Sequence, residues 1–202
     1  SGPYGSDVKT PHLDAFASTG TLFTEAFSTS SWTRPAVVSM FSGLRVSAHG
    51  VNENDSVLPE GVVWLPELLR DRGFKTLGVV RNGNLSKEWG LDRGFVHLEQ
   101  YLARNNEILA AYPEPDRQAE HIWDSYIQPF LDGQDPDAPK FIYLHELDPH
   151  FAYIPQVEPY KSMYLPPIAS NLQVSTRLYM EGAQHLTAED IAWLHANYKG
   201  EI

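Results

Sequence analysis

The sequence predicts an α/β fold, with a mixed or mostly parallel sheet flanked by helices. Helical and strand-like patterns alternate along the chain, which is the order of an α/β domain. The stretch Ala36-Val-Val-Ser-Met-Phe41 is apolar nearly all round at helical length, so that helix is expected to be deeply buried. Lys140-Phe-Ile-Tyr-Leu-His-Glu-Leu147 is the clearest strand, set off by the turn-rich 132–139 segment before it.

The other elements follow in order. Thr10-Pro11 opens a helix, with threonine suited to the cap, proline to the first turn and Asp14 to the positive end of the dipole. Leu13, Phe16 and Ala17 give it an apolar spacing, and Gly20 ends it. Thr21-Leu-Phe-Thr-Glu-Ala-Phe27 alternates like a half-buried strand, and 21–28 is expected to be a central one. A helix over 34–42 stops at Gly43, and a short one over 65–72 stops at Gly73. Residues 74–80 form a strand leading into the polar loop Asn82-Gly-Asn84. A helix is expected over 120–131, irregular proline-rich chain over 149–167, and a last amphipathic helix over 187–198. Thr187 caps that helix, with Asp190 in the capping-box position.

Composition narrows the function. Acids outnumber bases by 26 to 15, a formal net charge of −11, which disfavours nucleic acid and anionic membrane as partners. An anionic substrate would then need a local source of positive charge, of which a bound metal ion is the simplest. No apolar run approaches the roughly 18–20 residues that span a bilayer. The absence of cysteine excludes disulfides, thiolate metal sites and cysteine nucleophiles.

The most informative stretch is Ser30-Ser-Trp-Thr-Arg-Pro-Ala-Val-Val-Ser-Met-Phe-Ser-Gly43. It sets hydroxyls and an arginine where a buried helix begins, and free N–H groups with the positive dipole end make that place suited to an anion. Thr33 could attack a phosphorus or sulfur centre there, or could simply cap the helix; the two roles are compatible. His150, between Pro149 and Phe151 just beyond a predicted strand, is either a solvated loop residue or a substrate contact.

Several blocks occur in a telling order: Thr10-Pro-His-Leu-Asp14, Phe23-Thr-Glu-Ala-Phe27, Thr33-x-Pro35 to Gly43-Leu44, and His49-Gly-Val51. Asp71-Arg-Gly-Phe74, Gly90-Leu-Asp-Arg-Gly-Phe95, His145-Glu-Leu-Asp-Pro-His-Phe-Ala-Tyr153 and Tyr198-Lys-Gly-Glu-Ile202 continue the series. This ordered set resembles the sulfatase family of the alkaline-phosphatase superfamily. The resemblance implies an alkaline-phosphatase-like sandwich, truncated at both ends, with residues 1–202 forming part of a catalytic domain. It places the nucleophile, which is also a metal ligand, at Thr33, and a histidine that reaches the substrate anion or protonates the leaving group at His150. His145 reads as structural, and Asp148 as a turn or supporting group.

Three departures shape the functional expectation. Threonine cannot become formylglycine as the family's Cys or Ser does, so none is expected; Val37 stands at the usual arginine, and Arg34 is either the substitute charge or a surface residue. The family's cationic Gly-Lys-Trp-His motif is replaced by Val80-Arg-Asn-Gly-Asn84, which is either a plain polar loop or leaves Arg81, Asn82 or Asn84 to bind substrate. The remaining ligands of the implied divalent metal (Ca, Mg, Mn or Zn) are expected outside this chain. The resemblance thus implies a metal-dependent hydrolase or transferase of sulfate, phosphate or phosphonate esters, in a periplasmic or extracellular setting. The alternative is an inactive sulfatase-like domain that binds anionic glycans or a partner protein.

Overall fold

The structure, a computed structural model, describes residues 2–100, 121–147, 149–150, 160–164 and 186–202. The chain divides into two compact units, Phe27–Leu147 and the pair of segments Ser1–Ala26 and Asp148–Ile202.

The larger unit is built on a three-stranded parallel sheet of order β2-β1-β3, with β1 at Lys75–Val80, β2 at His97–Gln100 and β3 at Lys140–His145. Leu77 pairs with His97 on one side of β1, and with Ile142 on the other. Alternation along the strands sorts their side chains onto two faces. Leu77, Val79 and Ile142 pack with Ile122, Ile127 and Phe130. Val80, Phe141 and Tyr143 point the opposite way and join a second core cluster with Val37, Val38 and Phe41. Both faces of β1 are therefore covered, as a parallel sheet requires.

The second cluster is organised around helix α2, Thr33–Ser42 (helix α1, Pro11–Ser18, belongs to the smaller unit). Phe41 meets Trp64 edge-on at 5.1 Å and Tyr143 at 4.8 Å. The helix is less uniformly buried than its sequence predicts, since Met40 is exposed. Gly43 ends it in the left-handed conformation, φ 71°, and its N–H donates to the Ser39 carbonyl. Helices α3, Val46–His49, and α4, Leu65–Asp71, follow. On the far face, one π-helical turn, Trp123–Ile127, leads into α5, Gln128–Asp132. The expected 120–131 helix is present from residue 121; its start lies outside the described residues. Pro129 lacks the N–H that an α-helix would use there, and the wider turn just before it accommodates the loss.

In the smaller unit, α1 spans Pro11–Ser18, and Thr10 Oγ1 donates to Asp14 Oδ1 rather than capping a backbone N–H. A short helix α6, Tyr160–Met163, interrupts the expected 149–167 irregular segment, most of which lies outside the described residues. Helix α7, Ala188–Glu201, carries the expected capping box: Asp190 N–H donates to Thr187 Oγ1, and Thr187 N–H to Asp190 Oδ2. Lys199 and Asp7 form a 2.6 Å ion pair.

The expected strand over 21–28 is not formed. This segment is bends and irregular chain, with Phe23 and Phe27 well exposed. Alternating apolar residues make a strand only beside a ladder partner, and none pairs with it among the described residues. The Phe23 carbonyl accepts instead from the Tyr4 hydroxyl.

Candidate active site

The carboxyl end of β1 carries Arg81, Asn82 and Asn84 of the predicted residues, and Thr33 and Arg34 of α2 meet that loop. The β1–β3 ladder closes with Arg81 N–H donating to the His145 carbonyl at 2.9 Å, and the chain then turns at Asn82. Asn82 Oδ1 accepts from Asn84 N–H at 2.9 Å, an Asx turn. That bond fixes which end of the amide is which, because only the oxygen can accept. The other end, Nδ2, donates to Thr33 Oγ1 at 3.1 Å. Loop and helix are thereby joined at the hydroxyl.

Thr33 is the first residue of α2 and not its cap. Trp32 occupies the N-cap position with an extended backbone, and no side chain caps the helix. The bland alternative for Thr33, a capping hydroxyl, is thus not what this geometry uses. Its oxygen lies beside the first-turn N–H groups of a buried ten-residue helix.

Arg34 has a different task from the substrate contact expected of it. Only 2 % exposed, it donates from Nε to the Asn84 carbonyl and from one terminal nitrogen to the carbonyls of Asn54 and Ser56, at 3.2, 2.8 and 3.1 Å. The second terminal nitrogen donates to Asn84 Oδ1 at 3.3 Å. Its guanidinium lies over Trp89, 3.7 Å from the ring centroid. A group so fully engaged ties loops together and is not available to an incoming anion. Arg81 is also committed, to Glu146 at 3.1 Å. Asn84 serves Arg34 and Asn82 with its carbonyl, side-chain oxygen and N–H.

A second buried polar pair supports the same helix. His49, 2 % exposed at the end of α3, accepts the Val51 N–H at Nδ1. Its ring proton therefore sits on Nε2, 2.9 Å from Ser39 Oγ of α2. Burial pushes the His49 pKa below its ordinary value, keeping the ring neutral. On β3, the Tyr143 hydroxyl lies 2.9 Å from His145 Nδ1. Burial raises the Tyr143 pKa to about 12 and lowers that of His145, so both stay uncharged. The histidine of the His49-Gly-Val51 block gave no sign of its task in the sequence, and neither did Trp89, Asn54 or Ser56.

His150 belongs to the other unit and is exposed there; Asp148 lies outside the described residues. Among the described residues there is no group of three or more His, Cys, Asp or Glu able to hold a metal ion. No helix among them is long and apolar enough to cross a membrane.

Residues 2–187 match the family model described as Sulfatase. The chain belongs to the sulfatase family. This sulfatase-family chain is 25% identical over 211 residues to an ulvan-active sulfatase of Formosa agariphila, covering 92% of itself and 41% of that protein. With the N-sulphoglucosamine sulphohydrolase of Homo sapiens it is 30% identical over 161 residues, covering 74% of itself and 29% of that protein. It spans about two fifths of the length of the first of these relatives. The crystal structure of the phosphonate monoester hydrolase of Agrobacterium radiobacter shares the fold, with a TM-score of 0.74 at 21% identity, over all of this chain and 53% of that one. The α/β architecture with a parallel sheet and flanking helices is therefore that of the alkaline-phosphatase superfamily.

Proposed function

We propose that the protein is an ester hydrolase, or a transferase, that uses Thr33 as its nucleophile on a phosphoric, phosphonic or sulfuric ester. The observation that carries this reading is the Thr33 hydroxyl itself. It sits at the first turn of a buried helix and beside the carboxyl end of β1, free of any capping duty and held by Asn82. Ligand sites of α/β sheets lie at that edge, and a helix N-terminus attracts an anion there. In the proposed reaction a bond forms from Thr33 Oγ1 to phosphorus or sulfur as the hydroxyl gives up its proton, and the bond to the leaving alcohol breaks as that alcohol takes up one, so the net change is one proton passed from threonine to the alcohol. Water or a second alcohol then resolves the threonine ester.

A divalent metal belongs to the proposal, because sulfatase-family enzymes generally depend on one. The described residues of this chain do not form its site, so no step is routed through it. His150 is proposed to contact the substrate anion or protonate the leaving group, on the strength of its sequence block alone.

Two relatives carry names that speak of sulfate removal, one from ulvan and one from N-sulphoglucosamine. The threonine points instead to phosphoric or phosphonic esters, whose threonine ester intermediates water or an alcohol can displace directly. A second reading, a binding domain without catalysis, is favoured by one observation: Arg34 and Arg81 are both committed to partners. Assay of the full-length protein and its Thr33→Ala variant on aryl phosphate, phosphodiester and sulfate substrates separates the readings. Activity lost in the variant, together with a mass increment on the Thr33 peptide of the trapped enzyme, supports the nucleophile. Activity that survives Thr33→Ala removes it, and a full-length protein inert on every substrate favours the binding domain.

A further inference from the structure

We infer that Asn82 is the residue that orients the Thr33 hydroxyl, and that Arg34 holds it in that role through Asn84. The inference rests on Thr33 being the nucleophile and adds what aims it. Asn82 was expected to bind substrate. Its side chain is instead spent at both ends, with Oδ1 on Asn84 N–H and Nδ2 on Thr33 Oγ1.

A threonine side chain turns about a single bond to choose where its oxygen points, and its rotamers differ little in energy at a helix start. A donor fixed in space selects one of them. It also occupies a lone pair of the oxygen, so the hydroxyl proton must point elsewhere and the remaining lone pair is left for attack. Catalysis is sensitive to such aim, since an ångström of misplacement can cost about 100-fold in rate.

The donor is fixed because the loop bearing it is fixed. Asn82 lies on a turn leaving β1, and turns are mobile unless tied down. Here the tie is Arg34, the residue next to Thr33 on α2. Its fork takes both the carbonyl and the side-chain oxygen of Asn84, while its other contacts reach Asn54 and Ser56. The same helix turn therefore carries the nucleophile and the anchor of the loop that aims it.

Asparagine and aspartate at position 82 separate aiming from loop support. Aspartate keeps an oxygen to accept the Asn84 N–H and cannot donate to Thr33; alanine does neither. The test uses the full-length protein with Asn82→Ala, Asn82→Asp and Thr33→Ala, on the substrate it turns over best. The expected result is that kcat falls about 10- to 100-fold in both Asn82 variants, the loss of the donor that aims the attacking oxygen. KM should change little in Asn82→Ala, and the melting temperature of Asn82→Asp should stay near wild type. Should Asn82→Ala fail to fold, Asn82→Asp carries the test alone through kcat. Wild-type kcat in Asn82→Asp would reduce Asn82 to a loop support and overturn the inference. A raised KM with unchanged kcat in Asn82→Ala would make it a substrate contact and overturn it as well. Thr33→Ala distinguishes these results from failure of the underlying reading: if that variant keeps its activity, the nucleophile assignment falls, and the inference with it.

Discussion

Arg34 shows how a charged side chain can be internal without an ion pair. Its donors meet two backbone carbonyls from the 54–56 loop, and a carbonyl and an amide oxygen of Asn84, with Trp89 against its face. Burial pulls its pKa down and Asp55 opposes this, yet a guanidinium stays charged at any ordinary pH. Replacing it with methionine keeps the bulk but leaves several buried oxygens unsatisfied, each worth about 1–3 kcal/mol. Arg34→Met is therefore expected to destabilise the protein by about 2–4 kcal/mol in urea unfolding. Arg34→Lys should recover only part of this, for want of the fork. At His49 the folded-state pKa lies below the ordinary 6.5. As pH falls, the unfolded chain takes up the proton first, so stability is full above about pH 6.5 and declines as pH drops through that window toward the folded pKa. His145 shifts the same way for the same reason, so His49→Gln should flatten part of that decline in thermal melts across pH, leaving the rest. Of these residues, Thr33 and Asn82 stood out only through the resemblance to the sulfatase family, Asn82 as one of three candidate substrate contacts. The sequence hid the work of Arg34 because its acceptors are mostly backbone carbonyls, which every residue has.

At the scale of elements, the legible pieces were those whose signal is local. The capping box of α7, the glycine stop of α2 and the apolar runs of β1 and β3 all appear where their residues put them. Strand β2 was missed because His97-Leu-Glu-Gln100 has one apolar residue and gains its order only from pairing with β1. The opposite error occurred at 21–28, where the pattern was present and the partner was not. Tertiary context explains Gly94 as well. It has φ 79°, and a Cβ there would run into the backbone of Pro66 and Glu67 at the start of α4, where Arg93 also pairs with Glu67. Neither side can yield, so Gly94→Ala should cost about 3 kcal/mol or more, read as a lowered denaturation midpoint at unchanged slope. Thr33 is the contrast. Because Trp32 and not Thr33 holds the cap position, Thr33→Ala should cost no more than about 1 kcal/mol of stability while removing the proposed activity. A loss of several kcal/mol would mean that the hydroxyl serves the fold after all.

For the whole molecule, the proposed nucleophile, Thr33, is what would decide which ester is turned over. Relatives that share the chain's family carry sulfatase names, and the shared fold extends to a phosphonate monoester hydrolase, so neither family nor fold chooses the substrate. The residue does. A formylglycine hydrate can expel sulfate from its own geminal diol, whereas an ester formed on Thr33 must be attacked directly by water or another alcohol. Phosphoryl centres tolerate such direct displacement better than a stable sulfate ester on an alkyl oxygen. The loop at the carboxyl end of β1 bears on the charge of the ester. A sulfatase-like Lys/His pair would meet a compact dianion or monoanion with charge; here Asn82 and Asn84 are neutral, Arg34 is internal, and Arg81 is balanced by Glu146. Such a loop disfavours a phosphate monoester dianion, whereas a sulfate monoester, a phosphodiester and a phosphonate monoester each carry a single charge, so the choice among these rests on the nucleophile. The full-length protein is accordingly expected to show kcat/KM at least 10-fold higher, about 1.4 kcal/mol in transition-state terms, on an aryl phosphodiester or phosphonate monoester than on the matching aryl sulfate. The two activities should vanish together in Thr33→Ala, which identifies them with one site. Preference for the aryl sulfate, lost in the same variant, would mean that Thr33 sulfate esters are resolved by a route this loop does not supply, and would return the protein to the substrate class of its curated relatives.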